Sequence, residues 1–241
     1  GMHNLFKMSS LASLEGYYFK PRMDRDLLNT YGQGLIATTG CPSGEVQTRL
    51  RLGQYKEAVE AAAEFRDIFG RENYYCELMD HGLGIERDIQ KDLLKLAREL
   101  GLPLVATNDL HYTKPEDSQA HAALLCVQSS STLSDPNRFK FDANEFYVKT
   151  AAEMREVWKD FPEACDNTLL IAEQCDVSFT EGEGRFMPRF PCPESHNEES
   201  WFVAEVETGL HKRYPGGVPD HVRKQAEYEI EVITSKGYAG Y

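Results

Sequence analysis

A chain of 241 residues is long enough for one large domain or two smaller ones, and a hydrophobic content of 41% fits a packed interior. Its formal net charge of −13 argues against a main DNA-gripping surface, because an acidic surface repels phosphate, and suits a chain that holds cations. No apolar run reaches the roughly 18 residues of a membrane span, and the opening Gly1-Met2-His3-Asn4 has neither the basic nor the apolar region of a signal peptide.

In chain order, residues 2–14 read as a helix with Leu5, Phe6, Met8, Leu11 and Leu14 on one side, stopped at Gly16. An aromatic connector, Tyr17-Tyr18-Phe19-Lys20-Pro21, precedes a short helix through Tyr31 that Asp24 caps. The β-branched run 35–39 reads as a strand, Gly40-Cys41-Pro42-Ser43-Gly44 as a turn, and 45–52 and 55–69 as helices. Tyr74-Tyr75-Cys76-Glu77-Leu78 is a second strand ending in Asp80-His81-Gly82. A helix with Ile85, Ile89, Leu93, Leu96 and Leu100 follows, Gly101 stops it, and 102–106 is a third strand. Strands alternating with helices predict an α/β fold with a parallel sheet or barrel and right-handed crossovers. Further on, 115–128 reads as helix, 145–148 as a short strand, and about 150–160 and 162–174 as helices. From 180 to 197 the composition shifts to Gly, Glu, Pro and Arg, which predicts a linker because the prolines of Met187-Pro188-Arg189-Phe190-Pro191-Cys192-Pro193 exclude regular helix. Two amphipathic helices close the chain, at about 198–213 and 219–236, and no internal repeat is evident.

Candidate ligands stand at the ends of three successive strands: Cys41 after the first, His81 after the second, Asp109 and His111 after the third. Chemistry in parallel α/β folds gathers at those ends. Asp109 and His111, at i and i+2 of extended chain, point to the same side, and oxygen plus nitrogen is a common donor pair for Zn²⁺, Mn²⁺ or Fe. Cys41 precedes a helix, which favours thiolate, although a small buried hydrophobe is the plainer alternative. His81 reads as a ligand, as support for one, or as a helix cap. Glu77, inside a strand and opposite in side to Leu78, needs a partner if buried. His121 reads as a hydrogen-bonded core histidine, and His196, His211 and His221 as solvated. The cysteines, Cys41, Cys76, Cys126, Cys165, Cys175 and Cys192, form no Cys-x-x-Cys pair, so the expected setting is a reducing cytoplasm rather than a disulfide framework. Gly182-Glu183-Gly184-Arg185 lacks the Lys-Ser/Thr of a phosphate loop, and the paired acids of a two-metal polymerase palm are not evident.

Several ordered motifs carry a resemblance. They include Leu14-Glu15-Gly16-Tyr17-Tyr18, Lys20-Pro21-Arg22-Met23-Asp24, Gly40-Cys41-Pro42-Ser43-Gly44-Glu45, Glu77-Leu78-Met79-Asp80-His81-Gly82, Ala106-Thr107-Asn108-Asp109-Leu110-His111-Tyr112, Pro188-Arg189-Phe190-Pro191 and Gly237-Tyr238-Ala239-Gly240-Tyr241. Spread over nearly the whole chain, they resemble the alpha subunits of bacterial replicative DNA polymerase III, the C-family polymerases. The resemblance implies a PHP (polymerase and histidinol phosphatase) domain, a distorted βα barrel with a metal cluster at its strand ends. It gives Cys41 the family's cysteine ligand position, Asp109 and His111 its final Asp-x-His pair, and His81 and Glu77 a secondary place as ligands or as support for ligands.

The family's opening His-x-His strand and its further Asp, His and Glu ligands have no counterpart here. The expectation is therefore an internal piece, with 1–178 as the second half of the PHP domain and 179–241 as linker and helices leading to the palm. The complete protein is expected to be a DNA-directed DNA polymerase, a nucleotidyltransferase of DNA replication. Its expected partners are DNA, deoxynucleoside triphosphates, the sliding clamp and the proofreading exonuclease, with no membrane, and Mg²⁺ serves polymerisation. The PHP site, with Zn, Mn or Fe, is expected to support 3′–5′ exonuclease activity only in the complete protein. Alternatives are a free-standing phosphoesterase of the histidinol-phosphatase kind and a non-catalytic scaffold for the proofreading subunit. An open sheet edge would favour self-association of the piece.

Overall fold

The computed structural model describes residues 1–179 and 189–241. The stretch 180–188, which holds Gly182-Glu183-Gly184-Arg185 and the start of the expected linker, lies outside the described residues. The chain forms two compact units, Gly1–Asp176 and Val177–Tyr241.

The first unit is built on a parallel sheet of strands β1 (Ala37–Thr38), β2 (Tyr74–Leu78) and β3 (Leu104–Ala106), in that spatial order. Ala37 pairs with Tyr74 and Leu78 with Ala106, so β2 lies between its neighbours. Helices α3 (Glu45–Arg51) and α4 (Tyr55–Phe69) make the first crossover and α5 (Gly84–Leu100) the second. Every residue of β2 is buried, as expected of a central parallel strand covered on both faces. The period of two puts Tyr74, Cys76 and Leu78 on one face, where they join Val46 and Leu50 of α3, Ala58 and Ala62 of α4, and Ile89, Leu93 and Leu96 of α5. Small residues on α4 let it approach the sheet closely, and the larger side chains of α5 fill the remaining space.

Local signals fix the ends of several elements. Asp24 caps α2 (Arg25–Tyr31), accepting from the Leu27 amide at 2.9 Å. Gly101, with φ of 64°, closes α5 in the left-handed conformation. A helix expected over 115–128 divides into a 3-10 turn, Pro115–Asp117, and α6 (Ser118–Ser129), because Pro115 fixes φ and lacks an amide donor. The helix expected to reach residue 160 stops as α7 (Ala151–Val157), and Trp158 turns into the core at 2% exposure.

Two strand expectations need correction. The strand at 35–39 shrinks to a two-residue ladder, held by Ala37 N–H to Asn73 O and Thr39 N–H to Tyr75 O. The segment 145–148 is not a strand but a single parallel bridge, Tyr112 to Tyr147. Among the described residues its backbone hydrogen bonds reach the turn beyond β3, which is too irregular to extend the pairing. The outer edge of β3 is met by α8 (Pro162–Glu173), whose Asn167 Nδ2 donates to Leu104 O at 2.7 Å. That bond occupies an edge acceptor on which another strand would pair.

In the second unit, Asn197 caps α9 (Glu198–Arg213), accepting from the Ser200 amide at 2.8 Å. Arg223 of α10 (Asp220–Ser235) grips Glu207 through two parallel hydrogen bonds, 2.5 and 3.0 Å.

Leu96 is completely buried where α5 meets β2. Leu96→Ala is expected to destabilise the first unit by about 2–5 kcal/mol. Urea unfolding followed by Trp158 fluorescence, in a Trp201→Phe background, measures it.

Candidate functional site

The strand ends are tied together by a buried carboxylate. Glu77 accepts from Thr38 Oγ1 on β1 and from Thr107 Oγ1, just past β3, the latter at 2.6 Å. The partner that a buried Glu77 requires is thus a pair of hydroxyls. Thr39 Oγ1 accepts from the Glu77 amide at 3.0 Å and from Gln47 Nε2 at 3.1 Å, which joins the same strand end to α3. Both hydrogen bonds work against the cost of burying the Glu77 carboxyl group.

His81, 1% exposed, is held on every side. Its amide donates to Glu86 Oε2 at 2.7 Å and its ring Nδ1 to Glu86 Oε1 at 2.6 Å. Its Nε2 accepts the Asp109 amide at 3.0 Å. Phe146 stacks on the ring, centroids 4.6 Å apart and planes within 6°. Glu86 lies in the first turn of α5 at 6% exposure. Burial alone would raise its carboxyl pKa, but the hydrogen bonds from the His81 ring and amide outweigh it and hold the group below its ordinary 4.5.

Asp109 and His111 do converge, Oδ2 to Nε2 at 3.2 Å, with side chains 51% and 32% exposed. They stand beyond the last residue of β3, Ala106, in a turn held from outside. Phe146 O accepts the His111 amide at 2.9 Å, and Asn108 Nδ2 donates to Tyr147 O at 2.6 Å. Around the His111 ring stand Phe141 and His121, with centroids at 4.7 and 5.2 Å. His121, expected to be a hydrogen-bonded core residue, is instead half-buried in this aromatic group. Burial, and secondarily the nearness of His111, lower its imidazole pKa below 6.5.

Cys41 is exposed in a tight turn, where its carbonyl accepts from the Gly44 amide at 2.8 Å. Gly40, with φ of 81°, supplies the positive dihedral that the turn needs. Among the described residues no three His, Cys, Asp or Glu side chains converge as a metal-binding group. Asp109 and His111 are chemically suited to a borderline divalent metal, but a site needs three or four donors. A cleft of about 910 Å³ lies elsewhere: it opens at the amino ends of the strands, between Arg71, Tyr75, Arg98, Leu104 and Phe161. Glu86 has no sequence signal for this role, and Phe146 and His121 read only as a strand residue and a core histidine. Only the burial of Glu86 sets it apart from an ordinary solvated acid at a helix start.

Residues 1–81 match the PHP domain family, a stretch that takes in Cys41, Glu77 and His81 and ends before Asp109 and His111. Over 244 aligned residues the chain is 54% identical to the DNA polymerase III subunit alpha of Mycobacterium tuberculosis, covering 100% of this chain and 21% of that protein. It is 38% identical over 242 residues to the subunit of Treponema pallidum, covering 100% of this chain and 20% of the relative. With Thermus aquaticus the identity is 40% over 227 residues, covering 91% and 18%. The chain is similar to DNA polymerase III alpha subunits over its whole length and spans about a fifth of the length of the curated relatives it matches. No helix among the described residues is long and apolar enough to cross a membrane.

The His81–Glu86 contact makes a pH-dependent prediction. The Glu86 carboxyl is more acidic folded than unfolded, so its contribution is complete above the ordinary 4.5 and is lost as pH falls through the lower folded value. Glu86→Gln is expected to lower the unfolding midpoint at neutral pH. The gap from the unsubstituted protein should narrow as pH drops from about 5 to about 3. Urea midpoints across that range measure it, and a gap that widens toward acid refutes it.

Proposed function

We propose that this chain supplies part of the PHP domain of a replicative DNA polymerase, and that the complete protein polymerises DNA from deoxynucleoside triphosphates as a nucleotidyltransferase of DNA replication. The observation that carries this is the similarity over the whole chain, 54% to the Mycobacterium tuberculosis subunit. On this reading 1–178 is PHP domain, its three strands one side of a distorted βα barrel, and 179–241 leads toward the palm. DNA, deoxynucleoside triphosphates, the sliding clamp and the proofreading exonuclease are the partners, in the cytoplasm, with Mg²⁺ serving the polymerising step.

Asp109 and His111, with Cys41, are the chain's proposed donors to a Zn, Mn or Fe centre, completed by donors from elsewhere in the protein. A metal held there would supply an activated water and a clamp on a phosphodiester, the chemistry of a 3′–5′ exonuclease. The chain's own part is to orient the pair: the Asp109 amide is fixed on His81, the His111 amide on Phe146, and Phe141 and His121 shield one side of the His111 ring. A second reading, a PHP domain that acts as a non-catalytic scaffold for the proofreading subunit, is favoured by the lack of any three converging ligands among the described residues.

The test uses the complete subunit. Primer extension is expected, and Asp109→Ala is expected to leave it in place while weakening metal binding by about tenfold or more and abolishing metal-dependent 3′–5′ excision. Excision that survives in Asp109→Ala rejects the metal role of the pair, and no excision in either protein leaves the scaffold. Absence of primer extension by the complete protein sinks the polymerase reading.

A further inference from the structure

The turn that carries Asp109 and His111 has no sheet ladder of its own, yet two buried rings fix both of its ends. We infer that His81 is the positioning residue of this pair, an inference that rests on the reading of Asp109 and His111 as metal donors. Its Nε2 accepts the Asp109 amide at 3.0 Å while its Nδ1–H is held by Glu86 at 2.6 Å. A nitrogen that accepts an amide proton carries none itself, so the imidazole is neutral and in a single tautomer. Both ring nitrogens are engaged inside the protein, which leaves no lone pair for a metal.

The geometry is over-determined. Glu86 grips the backbone and the ring of His81 with its two oxygens, at 2.7 and 2.6 Å. Phe146 holds the ring plane by stacking at 4.6 Å and, through its own carbonyl, takes the His111 amide at 2.9 Å. One stacked couple therefore anchors the pair at both residues. A ring that only filled space would need none of this. Its 1% exposure makes each unpartnered nitrogen costly, and an apolar side chain would fill the volume more cheaply.

Co²⁺ titrated into the complete subunit tests the role, because its visible absorption reports the ligand set and its affinity reports the geometry. His81→Leu leaves the Asp109 amide without its acceptor. It is expected to weaken Co²⁺ binding roughly 10–100-fold, the scale for partners behind the ligands, with the absorption band unchanged. Hydrogen exchange at the Asp109–His111 segment should quicken in the same variant. His81→Gln, whose side-chain carbonyl reaches the position of Nε2, is expected to stay within a few-fold of the unsubstituted affinity.

A changed band in His81→Leu would make His81 a ligand and overturn the inference, as would unchanged affinity and exchange. If the leucine variant does not fold, the glutamine variant decides, since a loss as large as that in Asp109→Ala counts against positioning. Asp109→Ala that binds Co²⁺ with unaltered affinity and band rejects the donor reading instead. The exchange measurement then still decides whether His81 holds the turn.

Discussion

One buried carboxylate sets the level at which the three strands end. Glu77 lies between Thr38 and Thr107 and accepts a hydroxyl from each. A slip of one residue in β2 would turn Glu77 into the face now occupied by Cys76 and Leu78, and would bring those apolar side chains to the hydroxyls. The alternation of the strand and its single acid thus specify the same register. That register pairs Leu78 with Ala106. His81 follows Leu78 by the same number of residues as Asp109 follows Ala106, so the two leave the sheet level with one another. Their hydrogen bond at 3.0 Å is a consequence of the strand pairing rather than an independent arrangement of two loops.

Much of this was legible in the residues because it is local or periodic. Apolar spacing along α4 and α5, the Asp24 cap and the Gly101 stop each act within one element, and each stands where its pattern puts it. The convergence of Asp109 and His111 was legible for a similar reason, since side chains two residues apart in extended chain share a side. What escaped depends on contacts distant in sequence. Glu86 reads as an ordinary acid in a helix's first turn, a position that normally faces water. Only the fold brings His81 over it. Phe146 reads as part of a strand, but its backbone finds only the turn at His111 and Tyr112, so it bridges instead of pairing. His121 has apolar helical neighbours, which suggest core; its actual surroundings come from Phe141 and His111, and Phe141 belongs to a stretch with no regular structure.

The charged groups divide sharply by what they contribute. Exposed pairs such as Lys56–Glu60 and Lys159–Glu156 hold long side chains in water and contribute little to stability. The Glu86–His81 contact is different in kind, with side chains 5% and 1% exposed. Removing either partner strands the other, whereas replacing both by apolar groups of similar size would be near neutral or stabilising. Stability alone therefore gives no reason to keep the pair. Geometry does: an apolar pair could fill the space beneath the strand ends but offers the Asp109 amide no acceptor. The arrangement gives up some packing energy to hold one carboxylate and one imidazole 3.2 Å apart at the surface. On the proposed reading of Asp109 and His111 as metal donors, a fixed separation of the two side chains is what that exchange secures.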